Sequence, residues 1–122
     1  MSKNPLQIKS FQFAINVSKV CIKSRGTHKE YDLTRQLIRS ATSIGANIEE
    51  ALGGQSKKDF YYKLTLAYKE GRESDYWIRL LTELELIQKE ESQKLKSEIL
   101  ELNKILSSIL STMRKKYNFS YN

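Results

Sequence analysis

Phe60, Leu64, Ala67, Gly71, Ser74, Ile78 and Leu81 recur at alternating steps of four and three, and Leu95, Ile99, Leu102, Leu106, Ile109 and Met113 repeat the pattern. That spacing collects side chains on one side of an α-helix, whereas a strand would scatter them over both faces. A helix with one such stripe is stable in water only when the stripe is covered, so the two stripes call for further helices to pack on. The sequence supplies them. Leu37, Ala41, Ile44, Ile48 and Leu52 form a third stripe, and the segment from Pro5 to Ser24 carries two neighbouring ones, Ile8, Phe11, Ile15 and Ile22 beside Ala14, Val17 and Cys21. Two stripes on one helix imply burial on more than one side.

The punctuation agrees. With one proline and five glycines in 122 residues, the chain lacks the breakers of a turn-rich β fold. Arg25 to Tyr31 has no periodicity and contains Gly26, which marks a first connection; Gly53-Gly54 ends the second helix, and Ser56-Lys-Lys-Asp59 reads as the cap of the third. Charged and polar residues fill Gln88 to Lys94, the third connection, where Ser92 is the expected cap. The predicted fold is all-α: one domain over residues 1–122, an antiparallel up-down-up-down four-helix bundle with helices at about 5–24, 32–52, 57–88 and 92–116. In it Ala67, Gly71 and Ser74 should face Ala41 and Gly45, letting two backbones approach closely.

Several function classes are disfavoured. One cysteine, Cys21, in an apolar stretch reads as a small buried hydrophobe. One histidine, His28, and the lack of a Glu-x-x-His pattern leave no expected metal or cofactor, and no nucleophile, base and orienting group can be named, so the expectation is a non-enzyme. Gly53-Gly54 before Ser56-Lys57 lacks the spacing of a phosphate-cradling loop. The longest uncharged apolar run, Ile105 to Met113, is too short to span a membrane, and the opening residues carry no basic and apolar leader, so the expected location is cytoplasmic.

Charge has functional content. The formal net charge is +7, and it is uneven: residues 1–58 hold ten Lys/Arg against four acids, 59–91 five against eight, and 92–122 six against two. A basic surface built by the two ends attracts a polyanion such as RNA or DNA, through Lys19, Lys23, Arg25, Lys29, Arg114, Lys115 and Lys116. The last of these belong to a tail, Arg114 to Tyr121, that combines cations and aromatics, a mixture suited to phosphates and unpaired bases. The alternative is a protein-interaction scaffold with no nucleic-acid role. Beside the second stripe, Arg39, Ser43, Asn47 and Glu50 form a polar line whose ends need partners on another helix or another subunit. Lys69, Glu73, Tyr76 and Trp77 on the third helix have an interface composition, and Tyr61, Tyr62, Tyr68, Tyr76 and Trp77 are more aromatics than one small bundle buries.

The stretch Arg39 to Ala51, with Gln55 to Phe60 and Lys69 to Leu81, resembles the four-helix-bundle family encoded in intervening sequences of bacterial 23S rRNA. That resemblance implies a ring-like homopentamer without established catalytic activity. The family is in turn similar to the accessory variability protein of diversity-generating retroelements, a pentameric basic bundle that binds nucleic acid. By the resemblance Arg39, Ser43, Asn47, Glu50, Lys69, Glu73, Tyr76 and Trp77 serve bundle or subunit packing. Gly53-Gly54 and Gly71 depart from it, standing where relatives often have Gln or Ala.

Overall fold

A computed structural model describes residues 4–119, which form four helices: α1 (Pro5–His28), α2 (Asp32–Leu52), α3 (Lys57–Glu83) and α4 (Lys89–Tyr117). Cross-helix pairs fix their directions. Lys9, Asn16 and Lys23 of α1 meet Glu101, Glu98 and Glu91 of α4, so sequence rises along one as it falls along the other. Gln7 with Glu49 and Arg25 with Thr34 run α1 against α2, and Ser40 with Ser74 and Glu50 with Lys63 do so for α2 and α3. Each helix packs on its sequence neighbours, α1 closes on α4, and α1·α3 and α2·α4 are the diagonals. This is the expected antiparallel four-helix bundle.

The core is layered from Phe13, Val17 and Cys21 of α1, Leu37, Ile44 and Ile48 of α2, Leu64, Ile78 and Leu81 of α3, and Leu95, Ile99, Leu102, Leu106 and Leu110 of α4. Burial pushes the Cys21 thiol up to about 11, as a small apolar plug should be.

The stripes shift at their ends. Tyr61 is buried and Phe60 only half-buried; Ala51 is buried while Leu52 is exposed; Leu110 takes the core position expected of Ile109. A strict seven-residue repeat assumes 3.5 residues per turn, and a helix of 3.6 rotates away from it over several turns. α1 departs most. Its core line is Leu6, Ser10, Phe13, Val17, Cys21 and Ser24, whereas Ile8, Phe11 and Ile22 are 51%, 66% and 65% exposed.

Two connections also move. α1 continues through Gly26 to His28, because that glycine sits on the open side of the helix with nothing near it, and Lys29 closes the helix in the left-handed conformation at φ 57°. The connection is therefore only Lys29 to Tyr31, and Arg25 is helical. α3 stops at Glu83 rather than near residue 88. Glu85 adopts φ 61°, its amide donates to Thr82 O at 3.0 Å and that of Leu86 to Leu81 O at 2.9 Å, the paired bonds of a Schellman stop. The chain turns there so that Ile87 can be buried at the bundle end. Ser92 is consequently no cap; it lies buried inside α4, its hydroxyl 2.6 Å from that of Thr82. Ser56 caps α3 as expected, accepting from Asp59 N at 3.0 Å.

The close-approach pairing is different too. Ser74 and Ser40 do join α3 to α2, their hydroxyls 2.9 Å apart, but a Cβ at Gly71 would meet Asn103 of α4, and one at Gly45 would meet Ser10 of α1. Each glycine therefore serves a different neighbour from the one expected.

Candidate nucleic-acid interface

Antiparallel packing sends the two basic segments to opposite ends of the bundle. Lys19, Lys23, Arg25 and Lys29 lie toward the end of α1 that meets the start of α4, as the Lys23–Glu91 pair at 3.2 Å shows. Arg114, Lys115 and Lys116 end α4 beside the first turn of α3, where Arg114 Nη1 donates to Tyr61 Oη at 3.4 Å. The seven cations therefore make two surfaces and not one.

At the first, half the set is occupied. Lys23 is paired with Glu91, while Arg25 is half-buried, donates from Nε to Thr34 Oγ1 at 2.8 Å, and stands 5.7 Å from the Tyr31 ring. The Lys23 pair ties α1 to α4, and the Arg25 contacts splice α1 to α2. Lys19 and Lys29 stay exposed.

The second is a cation and aromatic cluster. Lys57, at the start of α3, places its ammonium 4.6 Å from the centre of the Tyr117 ring, and Lys116 approaches the same ring at 5.4 Å. Phe119 stacks against both Tyr117 and Tyr61, at 5.6 and 5.1 Å. The Lys57 and Lys116 ammoniums hold the Tyr117 phenol below its ordinary value. Lys58 and Lys115 are exposed beside them, and Asp59 is the nearby acid in sequence. Phe119 thus folds the end of the helix back onto the bundle; Tyr121, the last aromatic of the expected tail, lies outside the described residues.

Lys57 and Lys58 were not among the expected contacts. Their signal lay in the topology, because antiparallel α3 and α4 must bring the first turn of one beside the last turn of the other.

The polar line of α2 is used inside one chain. Arg39 reaches across to α3 and forks between Glu70, at 3.2 Å, and Glu73; Trp77 Nε1 donates to the same Glu73 carboxylate at 3.0 Å. The Trp77 N–H first, and the Arg39 guanidinium with it, hold Glu73 below the usual carboxylate range. Glu50 pairs with Lys63 of α3 at 2.9 Å. Between them Ser43 donates to Arg39 O and Asn47 to Ser43 O, at 2.7 and 2.8 Å, so both serve their own helix. Arg39, Glu50, Glu73 and Trp77 are therefore a clamp of α2 on α3, while Lys69 and Tyr76 face outward. Of the many aromatics Tyr61 is buried, Tyr68 and Trp77 half-buried, and Tyr62 and Tyr76 exposed.

Among the described residues no group of three His, Cys, Asp or Glu side chains is placed to hold a metal ion, and no helix is long and apolar enough to cross a membrane.

The sequence profile of the 23S rRNA-intervening sequence protein family matches residues 3–108. The fold is similar to the crystal structure of a protein of unknown function from the S23 ribosomal protein family of Bacteroides thetaiotaomicron VPI-5482. The two are 39% identical, with a TM-score of 0.83 over 86% of this chain and 97% of that one. No curated protein matches the chain.

Proposed function

The chain belongs to the 23S rRNA-intervening sequence protein family, and from that premise we propose that it is a non-enzymatic, homo-oligomeric bundle that binds nucleic acid, structured RNA foremost. The observation that carries the reading is the end of the bundle where Lys57 and Lys116 approach the Tyr117 ring, with Lys58 and Lys115 exposed next to them in sequence and Arg114 donating to Tyr61. Ammonium and guanidinium groups there can replace the counterions of phosphates.

Self-association is the second half of the reading. The outward face of α1 carries Ile8, Phe11 and Ile22, a helical apolar line left open in one chain. A second copy that covered it would remove that surface from water, and the family resemblance implies five copies in a ring. Repetition then multiplies the protomer's +7, so that weak phosphate contacts act together.

Anisotropy of a labelled structured RNA, titrated with nuclease-treated protein at two salt concentrations, tests the binding half. Affinity that falls steeply with salt supports it. Affinity flat with salt, or capture of one protein partner in a pulldown insensitive to nuclease, would replace it with a protein scaffold.

A further inference from the structure

α3 bears a second repeat on the side away from the core. Lys58, Tyr62, Thr65, Lys69, Arg72, Tyr76 and Arg79 follow one another at steps of four and three, as the core stripe does. They form one outward line of about 32 Å at ~1.5 Å per residue. Because α3 packs only on α2 and α4, this line looks away from the bundle. Lys58, Lys69, Arg72 and Arg79 are exposed, and Tyr62 and Tyr76 are 56% and 49% exposed.

The line holds four cations, two tyrosines and no acid until Glu83 at its far end. The acids beside it are committed: Glu73 to Arg39 and Trp77, and Asp75 to Arg79 at 3.3 Å. The surface is concave between Tyr68 and Arg79, where Thr65, Lys69, Arg72 and Tyr76 complete the groove together with Glu73, the carboxylate that Arg39 and Trp77 hold. It begins at Lys58, the residue after the Lys57 that approaches Tyr117, at the same end of α3.

We propose that the outward face of α3 is a track for single-stranded RNA, which deepens the nucleic-acid reading above and rests on it. Cations alone would suit any polyanion. Two solvent-facing tyrosine rings set among them ask for something flat to stack on, and a base offers its face only when it is unpaired. Lys58, Lys69 and Arg72 contact phosphates, Arg79 holds the Asp75 carboxylate, and Tyr62 and Tyr76 are the stacking platforms. An acidic peptide would satisfy the charge and leave both rings idle.

The test compares an unstructured oligouridine of about ten nucleotides, within the site sizes such surfaces take, with an RNA duplex of equal length and with oligoglutamate. Replacing both rings, Tyr62→Ala with Tyr76→Ala, should lower oligouridine affinity by about tenfold for each tyrosine and leave duplex affinity unchanged. The Tyr62→Phe and Tyr76→Phe pair should restore it. Lys69→Gln with Arg72→Gln should flatten the salt slope for oligouridine by about 1.4, at roughly 0.7 for each lost phosphate contact. These side chains are all outside the core, and circular dichroism should show helicity retained in each variant. Oligouridine affinity indifferent to the tyrosines overturns the track, as does oligoglutamate that binds as tightly and competes with it. If Lys115→Gln with Lys116→Gln weakens RNA binding while the α3 variants do not, the track fails and the basic end of the bundle stands. If neither RNA binds the unaltered protein, the nucleic-acid reading itself falls.

Discussion

The amide of Asn103 on α4 occupies the space where Gly71 on α3 lacks a side chain: a Cβ at Gly71 would lie 2.0 Å from Asn103 Oδ1 and 3.1 Å from its Cγ. That oxygen is buried and has no hydrogen-bond partner, so it rests against the glycine Cα–H, a weak acceptor contact. The glycine is the reason two helices can approach with a polar side chain between them.

Gly71→Ala should therefore change sign with its neighbour. In the native background the methyl group displaces the whole amide, at about 1–3 kcal/mol for overpacking, against about 1 kcal/mol gained in helix propensity. The net expectation is a loss of about 1 kcal/mol. With Asn103→Ala the clash is gone, and the same substitution should stabilise by about 1 kcal/mol. Chemical denaturation of the four proteins of this cycle measures both values; equal effects in the two backgrounds would show that Asn103 does not fill the gap.

Arg39 gives a pH signature. Its side chain is 46% exposed, so Arg39→Gln should cost only about 1 kcal/mol at neutral pH, after solvent screening. Glu73 sits below its ordinary value of 4.5 in the fold, and a carboxylate of that kind contributes stability above its unfolded value. As pH falls below about 4.5 that contribution is lost, and the difference between native protein and Arg39→Gln should shrink with it. The native slope should not vanish in the variant, because the Trp77 N–H still holds Glu73. Melting curves at pH 7 and pH 3 decide this; a gap unchanged by acid would mean that Arg39 acts through packing alone.

The fold was legible where periodicity reports directly on burial. Ala67, Ser74, Ile78 and Leu81 stand in the sequence at the spacing with which they enter the core. α1 was not legible in this way, since Ile8, Phe11 and Ile22 have the same 3.6-residue period as Phe13, Val17 and Cys21. Periodicity says that a face is apolar and not which of two faces the rest of the chain covers. The stop of α3 was hidden for another reason: Glu85 in the left-handed region breaks the helix without the glycine that normally announces it. At the candidate site, Lys115, Lys116 and Tyr117 were readable as a run, but Lys57 joins them only through topology.

Glu85 also marks where stability can be gained. A side chain at φ 61° strains against its own carbonyl, which glycine avoids. Glu85→Gly gives up some unfolded-state restriction in return, so the expected gain is about 0.5–1 kcal/mol, or a rise of about 2–5 °C in Tm for a chain of this size. The bonds from Glu85 N to Thr82 O and from Leu86 N to Leu81 O need only the backbone and survive the change. A lower Tm would show that the Glu85 side chain does more than tolerate its conformation.

The two unusual faces lie on one diagonal, α1 with its open apolar line and α3 with its cations and tyrosines. A subunit that buried the first against a second copy would turn the second outward, which is the arrangement the proposed function requires. Phe11 is 66% exposed, so Phe11→Glu should alter the stability of an isolated chain by no more than about 0.5 kcal/mol. Within an assembly it would place a carboxylate in an apolar contact, at a cost large enough to dissociate it. Light scattering should therefore show a multiple of 14.2 kDa for the native protein and a smaller mass for Phe11→Glu, with helicity unchanged. Tyr76→Glu, on the opposite face, should keep the native mass. If Phe11→Glu keeps it too, α1 is not the surface through which copies meet, and the apolar line must be covered by a different partner.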